Sequence, residues 1–340
     1  MRALDMHAHY WPKGLLDAIE REQDWYGWQI RQRDDGKVDL RFRGFSLPFA
    51  PPPADLADPD ERITRRRDEQ GIEAEALMVV GFLWNTHLDS AEGARYSREI
   101  NEELAAVESS HPDRFRGLGL LPLQDTETAL AELAYAVDEL GLTSFAIPSH
   151  VEGRNLDDPA VMPVLHAMAE RDVTISVHPP FFDKIGDADR FAKHYFKSSF
   201  GAPIEASIGL MSLVYDGFLD RHPDVRLWVT HGGGVLPFTI GRFLTRWQNQ
   251  APEDRPTRDE PPSYLRRIHV GCLVHDDASL RFLIERIGIE RITLGTDHPF
   301  SWDHPGGAAN WIREAAFLTE PEKQAILWDN AARFLRFNGA

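Results

Sequence analysis

A chain of 340 residues, 42% of them hydrophobic, is long enough to bury a large core, and α/β barrels use roughly 250 residues or more as one domain. The 54 acidic against 37 basic side chains leave a net charge of −17, which repels nucleic acid and anionic membranes and excludes both as partners. A single cysteine, Cys272, excludes a disulfide framework and a Cys-rich zinc module, and no apolar run approaches the roughly 20 residues that span a bilayer.

In chain order, short β-rich apolar runs alternate with segments of helical periodicity, the pattern of βα units around a parallel sheet. The expected strands are Ala3–His9, Ala76–Val80, Arg116–Leu121, Ser144–Ile147, Thr174–His178, Arg226–His231, Ile268–Val274 and Ile292–Asp297. Eight strands with intervening helices fit a closed (β/α)₈ barrel occupying residues 1–340 as one domain. The Met1-Arg2-Ala3-Leu4-Asp5 start lacks an apolar signal segment, so a cytoplasmic location is expected.

The barrel pattern is interrupted at about residues 20–60, where Asp34-Asp35-Gly36-Lys37 reads as a turn between Trp28–Arg33 and Val38–Phe42, an inserted β-hairpin. Pro51-Pro52-Pro53 then leads to a helix around Ile63. Further on, Ile100, Leu104 and Val107 mark one helix. Leu130, Leu133, Ala134, Val137 and Leu140 form an apolar stripe stopped by Gly141, and Asp158-Pro159 reads as a helix start. His111-Pro112-Asp113 and His222-Pro223-Asp224 each precede a strand and read as turns. The Phe181–Pro203 segment, which holds Phe181, Phe182, Phe191, Tyr195 and Phe196, is long enough to cover an active site.

Histidine carries the chemical signal. His7 and His9 lie two apart in the first strand and so share one face. Alone this is a weak pattern, but Val177-His178-Pro179 ends the fifth strand and Gly295-Thr296-Asp297 ends the eighth. In a barrel these ends converge on the catalytic mouth, where three imidazoles and a carboxylate make a first shell for zinc or another first-row cation. His231 ends the sixth strand before Gly232-Gly233-Gly234; a Gly-x-Ser-x-Gly elbow is absent, so this is no serine-esterase oxyanion loop. A fifth ligand or a general acid/base remains for His231, and an imidazole titrating near neutrality suits the latter.

The Asp5-Met6-His7-Ala8-His9 start, Val177-His178-Pro179, His231-Gly232-Gly233-Gly234 and Leu294-Gly295-Thr296-Asp297-His298-Pro299-Phe300 together resemble the amidohydrolase superfamily. More narrowly they are similar to the branch containing aminocarboxymuconate semialdehyde decarboxylase, through Val235-Leu236-Pro237-Phe238 and Leu273-Val274-His275-Asp276 as well. The resemblance implies a distorted barrel, one divalent cation (zinc first, manganese in some members) and a homodimer. It implies His7, His9, His178 and Asp297 as ligands, His231 as the base acting on water, and Asp297 as a second proton carrier. Arg242 matches an arginine that reaches a neighbouring subunit's substrate, and Arg41 or Arg43 lies where another substrate-binding arginine is expected. The fourth strand end, Phe145-Ala146-Ile147-Pro148-Ser149-His150, offers no lysine or glutamate, which favours one metal over two. The covering segment lacks the tryptophans of the decarboxylase with which it is compared.

The expected activity is therefore metal-dependent, non-oxidative decarboxylation of an aromatic or muconate-like carboxylic acid, a small-molecule substrate. Hydrolysis of a lactone or amide at the same centre is the alternative, distinguished by ring-opened acid in place of CO₂. A non-catalytic metal-binding or ligand-sensing barrel is a third class, which an open coordination position argues against.

Overall fold

The computed structural model describes residues 1–49, 56, 58–181, 188–191, 193–300 and 306–337. Pro51-Pro52-Pro53, Phe182 and Trp302 lie outside this set.

The first strand, β1 (Ala3–Tyr10), is wholly buried and shows why the site forms where it does. Leu4, Met6 and Ala8 pack outward among Leu15, Ile19 and Ile100, so the alternate residues Asp5, His7 and His9 face the barrel axis. β1 pairs in parallel with β5 (Ile72–Val79), with a register shift between Asp5 and Ala8 that bends the strand at His7. β5 pairs with β6 (Phe115–Gly117). The second half of the barrel is a parallel sheet in the order β13 (Ile292–Thr293), β12 (His269–Gly271), β11 (Arg226–Val229), β10 (Thr174–His178) and β7 (Ser144–Pro148).

Single bridges close the ring. Gly119 bridges Phe145, joining the end of β6 to β7, and Ala8 bridges His298, joining β1 to the chain beyond β13. Backbone bonds reinforce the second seam, from Met6 N to Leu294 O (3.0 Å), Asp297 N to His7 O (2.8 Å) and His9 N to His298 O (2.8 Å). The expected distorted eight-stranded barrel is the fold observed. Its sixth and eighth strands are shorter at their C-terminal ends than the apolar pattern suggests, and the expected end residues His231 and Asp297 adopt positive φ of 51° and 60°, outside the extended range of a ladder.

Helices alternate with the strands and form the outer layer: α1 (Lys13–Glu20), α2 (Pro59–Gln70), α3 (Ser90–Ser110), α4 (Thr126–Asp138), α5 (Met162–Glu170), α6 (Ala202–Asp216), α7 (Leu236–Gln248), α8 (Asp277–Ile287), α9 (Ala308–Glu314) and α10 (Asn330–Leu335). Asp58 caps α2 by accepting from Asp60 N and Glu61 N, Pro59 opens it, and Gly71 ends it at φ 60°. The helix expected from Asp158-Pro159 begins later, at Met162; Asp158 instead closes a turn, accepting Val161 N and Met162 N on its carbonyl.

The inserted hairpin gains a third strand. β2 (Gln29–Gln32), β3 (Val38–Phe42) and β4 (Phe45–Phe49) form an antiparallel sheet, anchored by Trp28 stacked 5.0 Å from Phe42. A small ribbon of β8 (His150–Val151) and β9 (Arg154–Asn155) follows β7. Cys272 is fully buried in the core, and no helix among the described residues is long and apolar enough to cross a membrane.

Candidate metal centre

At the C-terminal end of the strands one nitrogen or oxygen each from His7, His178, His231 and Asp297 lies within 4.8 Å of every other. His9 joins them: its Nε2 is 2.8 Å from Asp297 Oδ1, the same oxygen that His7 Nε2 approaches at 3.0 Å. The imidazole rings of His7 stand 5.1–5.2 Å from those of His9, His178 and His231. All five residues taken from strand ends in the sequence thus converge. His231, expected as a base, stands among the potential ligands as close as those expected to bind metal.

The groups fit a cation. Burial lowers the His178 pKa well below the ordinary histidine value, and the neighbouring His7, His9 and His231 push it the same way. Burial also lowers His9, against the pull of Asp297. Burial alone would raise the Asp297 carboxyl, but His7 and His9 outweigh it and hold it well below the usual carboxylate range. Burial thus favours neutral imidazoles at His9 and His178, and the neighbouring histidines favour an ionised Asp297, the protonation states that ligation requires. His7 Nδ1 and His9 Nδ1 are buried with no hydrogen-bond partner, which is costly for a packed site lacking an ion. His178 Nδ1 donates to Pro179 O at 2.7 Å, leaving Nε2 as the acceptor nitrogen turned to the centre. Donors are nitrogen and oxygen only, suiting zinc or manganese.

Local sequence explains the aim of these side chains. His231 and Asp297 occupy left-handed backbone, a strained state that surrounding structure must enforce. After His231 the chain passes through Gly232, Gly233 and Gly234; a Cβ on Gly234 would lie 2.0 Å from Pro203 O, so only glycine lets α6 approach this turn. Beneath the ligands, Asp5 Oδ1 accepts from His7 N (2.9 Å) and Thr296 N (3.1 Å). Arg66 and Arg62 of α2 bond to Asp5, Thr296, Glu75 and the His9 carbonyl. These supporting residues carry no motif, although the position of Asp5 two residues before His7 puts it on the same inward face.

Above the ligands opens a cavity of about 1360 Å³, walled by Phe82, Phe181, Phe191, Tyr195, Phe300 and Leu283. The covering segment expected over the site contributes Phe181, Phe191 and Tyr195 to that wall, and Lys197 and His194 beside them. His275, four residues beyond β12, also reaches it. The three arginines expected to bind substrate do not line the cavity among the described residues. Arg41 pairs with Asp39 at 2.6 Å, Arg43 stands 3.7 Å from Glu152, and Arg242 lies exposed on α7. His269 sits elsewhere, against Phe334, and His111 and His222 follow helix ends as expected of turns.

A parallel (β/α)₈ barrel with an imidazole–carboxylate cluster at its strand ends defines a metal-binding barrel. The family model for amidohydrolases matches residues 4–337, and the chain belongs to that family. It is 32% identical to a 2-amino-3-carboxymuconate-6-semialdehyde decarboxylase of Dictyostelium discoideum over 98% of this chain and 91% of the relative. A gamma-resorcylate decarboxylase of a Polaromonas species is 27% identical over 83% and 89% of the two chains. Among solved structures, an apo IDCase of Metarhizium anisopliae superposes with a TM-score of 0.83 at 22% identity, covering 99% and 97%. A dihydroxybenzoic acid decarboxylase of Polaromonas, solved with manganese and 2-nitroresorcinol, gives 0.76 at 22% identity, covering 100% and 98%.

Proposed function

We propose that the chain is a metal-dependent, non-oxidative decarboxylase of an aromatic or muconate-like carboxylic acid. The observation that carries this reading is the convergence of four histidines and Asp297 at the floor of an aromatic-walled cavity, in a chain of the amidohydrolase family. His7, His9, His178 and Asp297 would hold one divalent cation, which when bound polarises the substrate carboxylate or an adjacent oxygen. Zinc is the first candidate, because imidazole-rich sites bind it more tightly than manganese; manganese is the second, and is the ion in the Polaromonas structure.

The bond to be broken joins the carboxylate carbon to the ring or conjugated chain. Its electron pair stays behind, and one proton must reach that carbon as CO₂ leaves. His231 would deliver it, with Asp297 as the neighbouring proton carrier; their closeness at the strand ends supports this reading. Phe82, Phe181, Phe191 and Phe300 present flat faces that grip a planar substrate and keep water from the reacting carbon. Lys197 on the cavity wall offers a positive charge to an anionic substituent. Arg242, exposed on α7, would serve the site of a second subunit in a homodimer; Arg41 or Arg43 would contribute from the inserted sheet. A chain with one cysteine and no membrane-crossing helix among its described residues suits a cytoplasmic location.

The test is a panel of aromatic and dienoic carboxylic acids offered to metal-loaded protein, read by CO₂ release. Formation of ring-opened acid from a lactone without CO₂ would replace this reading with hydrolysis.

A further inference from the structure

Two arginines lie buried behind the candidate metal centre, at 1% and 2% exposure for Arg62 and Arg66, where neither can touch substrate. They sit one turn apart on α2, facing two equally buried carboxylates, Asp5 and Glu75. Arg62 Nε donates to Glu75 Oε2 at 2.6 Å, while its Nη1 donates to the His9 carbonyl at 3.0 Å. Arg66 Nε donates to Glu75 Oε1 at 3.1 Å, and its Nη2 donates to both Asp5 Oδ2 (3.1 Å) and Thr296 Oγ1 (2.8 Å). Asp5 in turn accepts from the His7 and Thr296 backbone amides.

The formal charges of the two arginines and two carboxylates sum to zero. A stability role is a poor reason for such a group, because replacing buried ion pairs by apolar residues is often neutral or stabilising. What the group does accomplish is geometric. It ties the backbone at His7, at His9 and at Thr296, next to Asp297, to one helix across the seam where β1 meets the chain beyond β13 through one bridge and three backbone hydrogen bonds.

We propose that Arg62 and Arg66 are positioning residues, which fix the relative placement of His7, His9 and Asp297 for metal binding. The inference rests on the reading that these residues hold a cation. It assigns α2, a charged helix with no site motif, to the machinery of the centre. A planar guanidinium forks to several acceptors where an ammonium cannot, so Arg66→Lys preserves charge and removes the bracing geometry. Thr296→Val removes one anchor with almost no change in volume and serves if Arg66→Lys fails to fold. Glu132→Gln, which disrupts the Arg98–Glu132 pair between α3 and α4, is the control for loss of a buried charge partner remote from the centre.

The measurement is Mn(II) affinity of the full-length chain, from the electron paramagnetic resonance signal of the free ion, alongside the thermal midpoint. The proposal expects the dissociation constant to rise 10- to 100-fold, on the order of what outer-shell partners of metal ligands contribute, in Arg66→Lys and Thr296→Val but not in Glu132→Gln. Affinities within twofold of wild type, with the midpoint falling as in the control, would overturn it. Wild-type protein that binds no Mn(II) or Zn(II) would overturn the metal-centre reading itself, and the inference with it.

Discussion

Replacing His231 separates its two possible roles. Its φ of 51° makes the choice of substitution matter, since alanine in left-handed backbone costs about 1–2 kcal/mol while asparagine tolerates it. His231→Asn therefore removes the imidazole without distorting the turn into Gly232. In the structure His7, His9, His178 and Asp297 remain clustered without His231, so four of the five potential ligands survive. If His231 carries the proton, metal content stays near one ion per chain while kcat falls by about 10²–10⁴, or roughly 3–5 kcal/mol of barrier. The assay is elemental analysis of desalted protein paired with CO₂ release at saturating substrate. Protein that returns metal-free would refute the reasoning and make His231 a ligand.

The other predictions concern the ligands, the subunit contact and pH. His178→Ala should lose the metal and the activity together, read by the same two assays, because His178 is buried among the other potential ligands and its Nε2 is oriented by Pro179 O. Arg242→Ala should raise KM roughly tenfold or more with kcat little changed if the side chain binds substrate across a dimer; unchanged kinetics would remove it from the site. His269, outside the candidate centre, is lowered from 6.5 to about 3, first by burial and then by Arg291 and Arg333. Being neutral when folded, it contributes stability that is present above the unfolded value of 6.5 and fades as pH falls below it. Between pH 7.5 and 5 this amounts to about 2 kcal/mol. Urea unfolding of wild type and His269→Gln should diverge in pH slope by about that amount, and parallel slopes would contradict it.

Much of the architecture was legible because the barrel writes a local signature: eight β-rich runs with helical periods between them, and β1 alternating Leu4, Met6 and Ala8 with Asp5, His7 and His9. His7 and His9 followed from that alternation, and His178, His231 and Asp297 from their positions at strand ends. Strand ends were overrun at Asp297 and His231 because nothing in an apolar run signals a turn into left-handed backbone, which the surrounding packing imposes. The third strand of the inserted sheet, Phe45–Phe49, was hidden behind a proline at its fourth position. The supporting network escaped for a different reason. Arg62 and Arg66 belong to a helix rich in charge, which reads as a solvated face. Only the fold brings Glu75 and Asp5 to them. The three candidate arginines depend on contacts beyond one chain or on loop register, and periodicity carries neither.

The most direct test of the central claim is metal content and CO₂ release measured on one preparation of the purified chain against a panel of aromatic and dienoic carboxylic acids. The account predicts about one zinc or manganese per chain and stoichiometric CO₂ from at least one acid. A metal-replete protein that releases no CO₂ but opens a lactone or amide would contradict the decarboxylase reading. A chain that holds no metal would contradict the centre built from His7, His9, His178, His231 and Asp297.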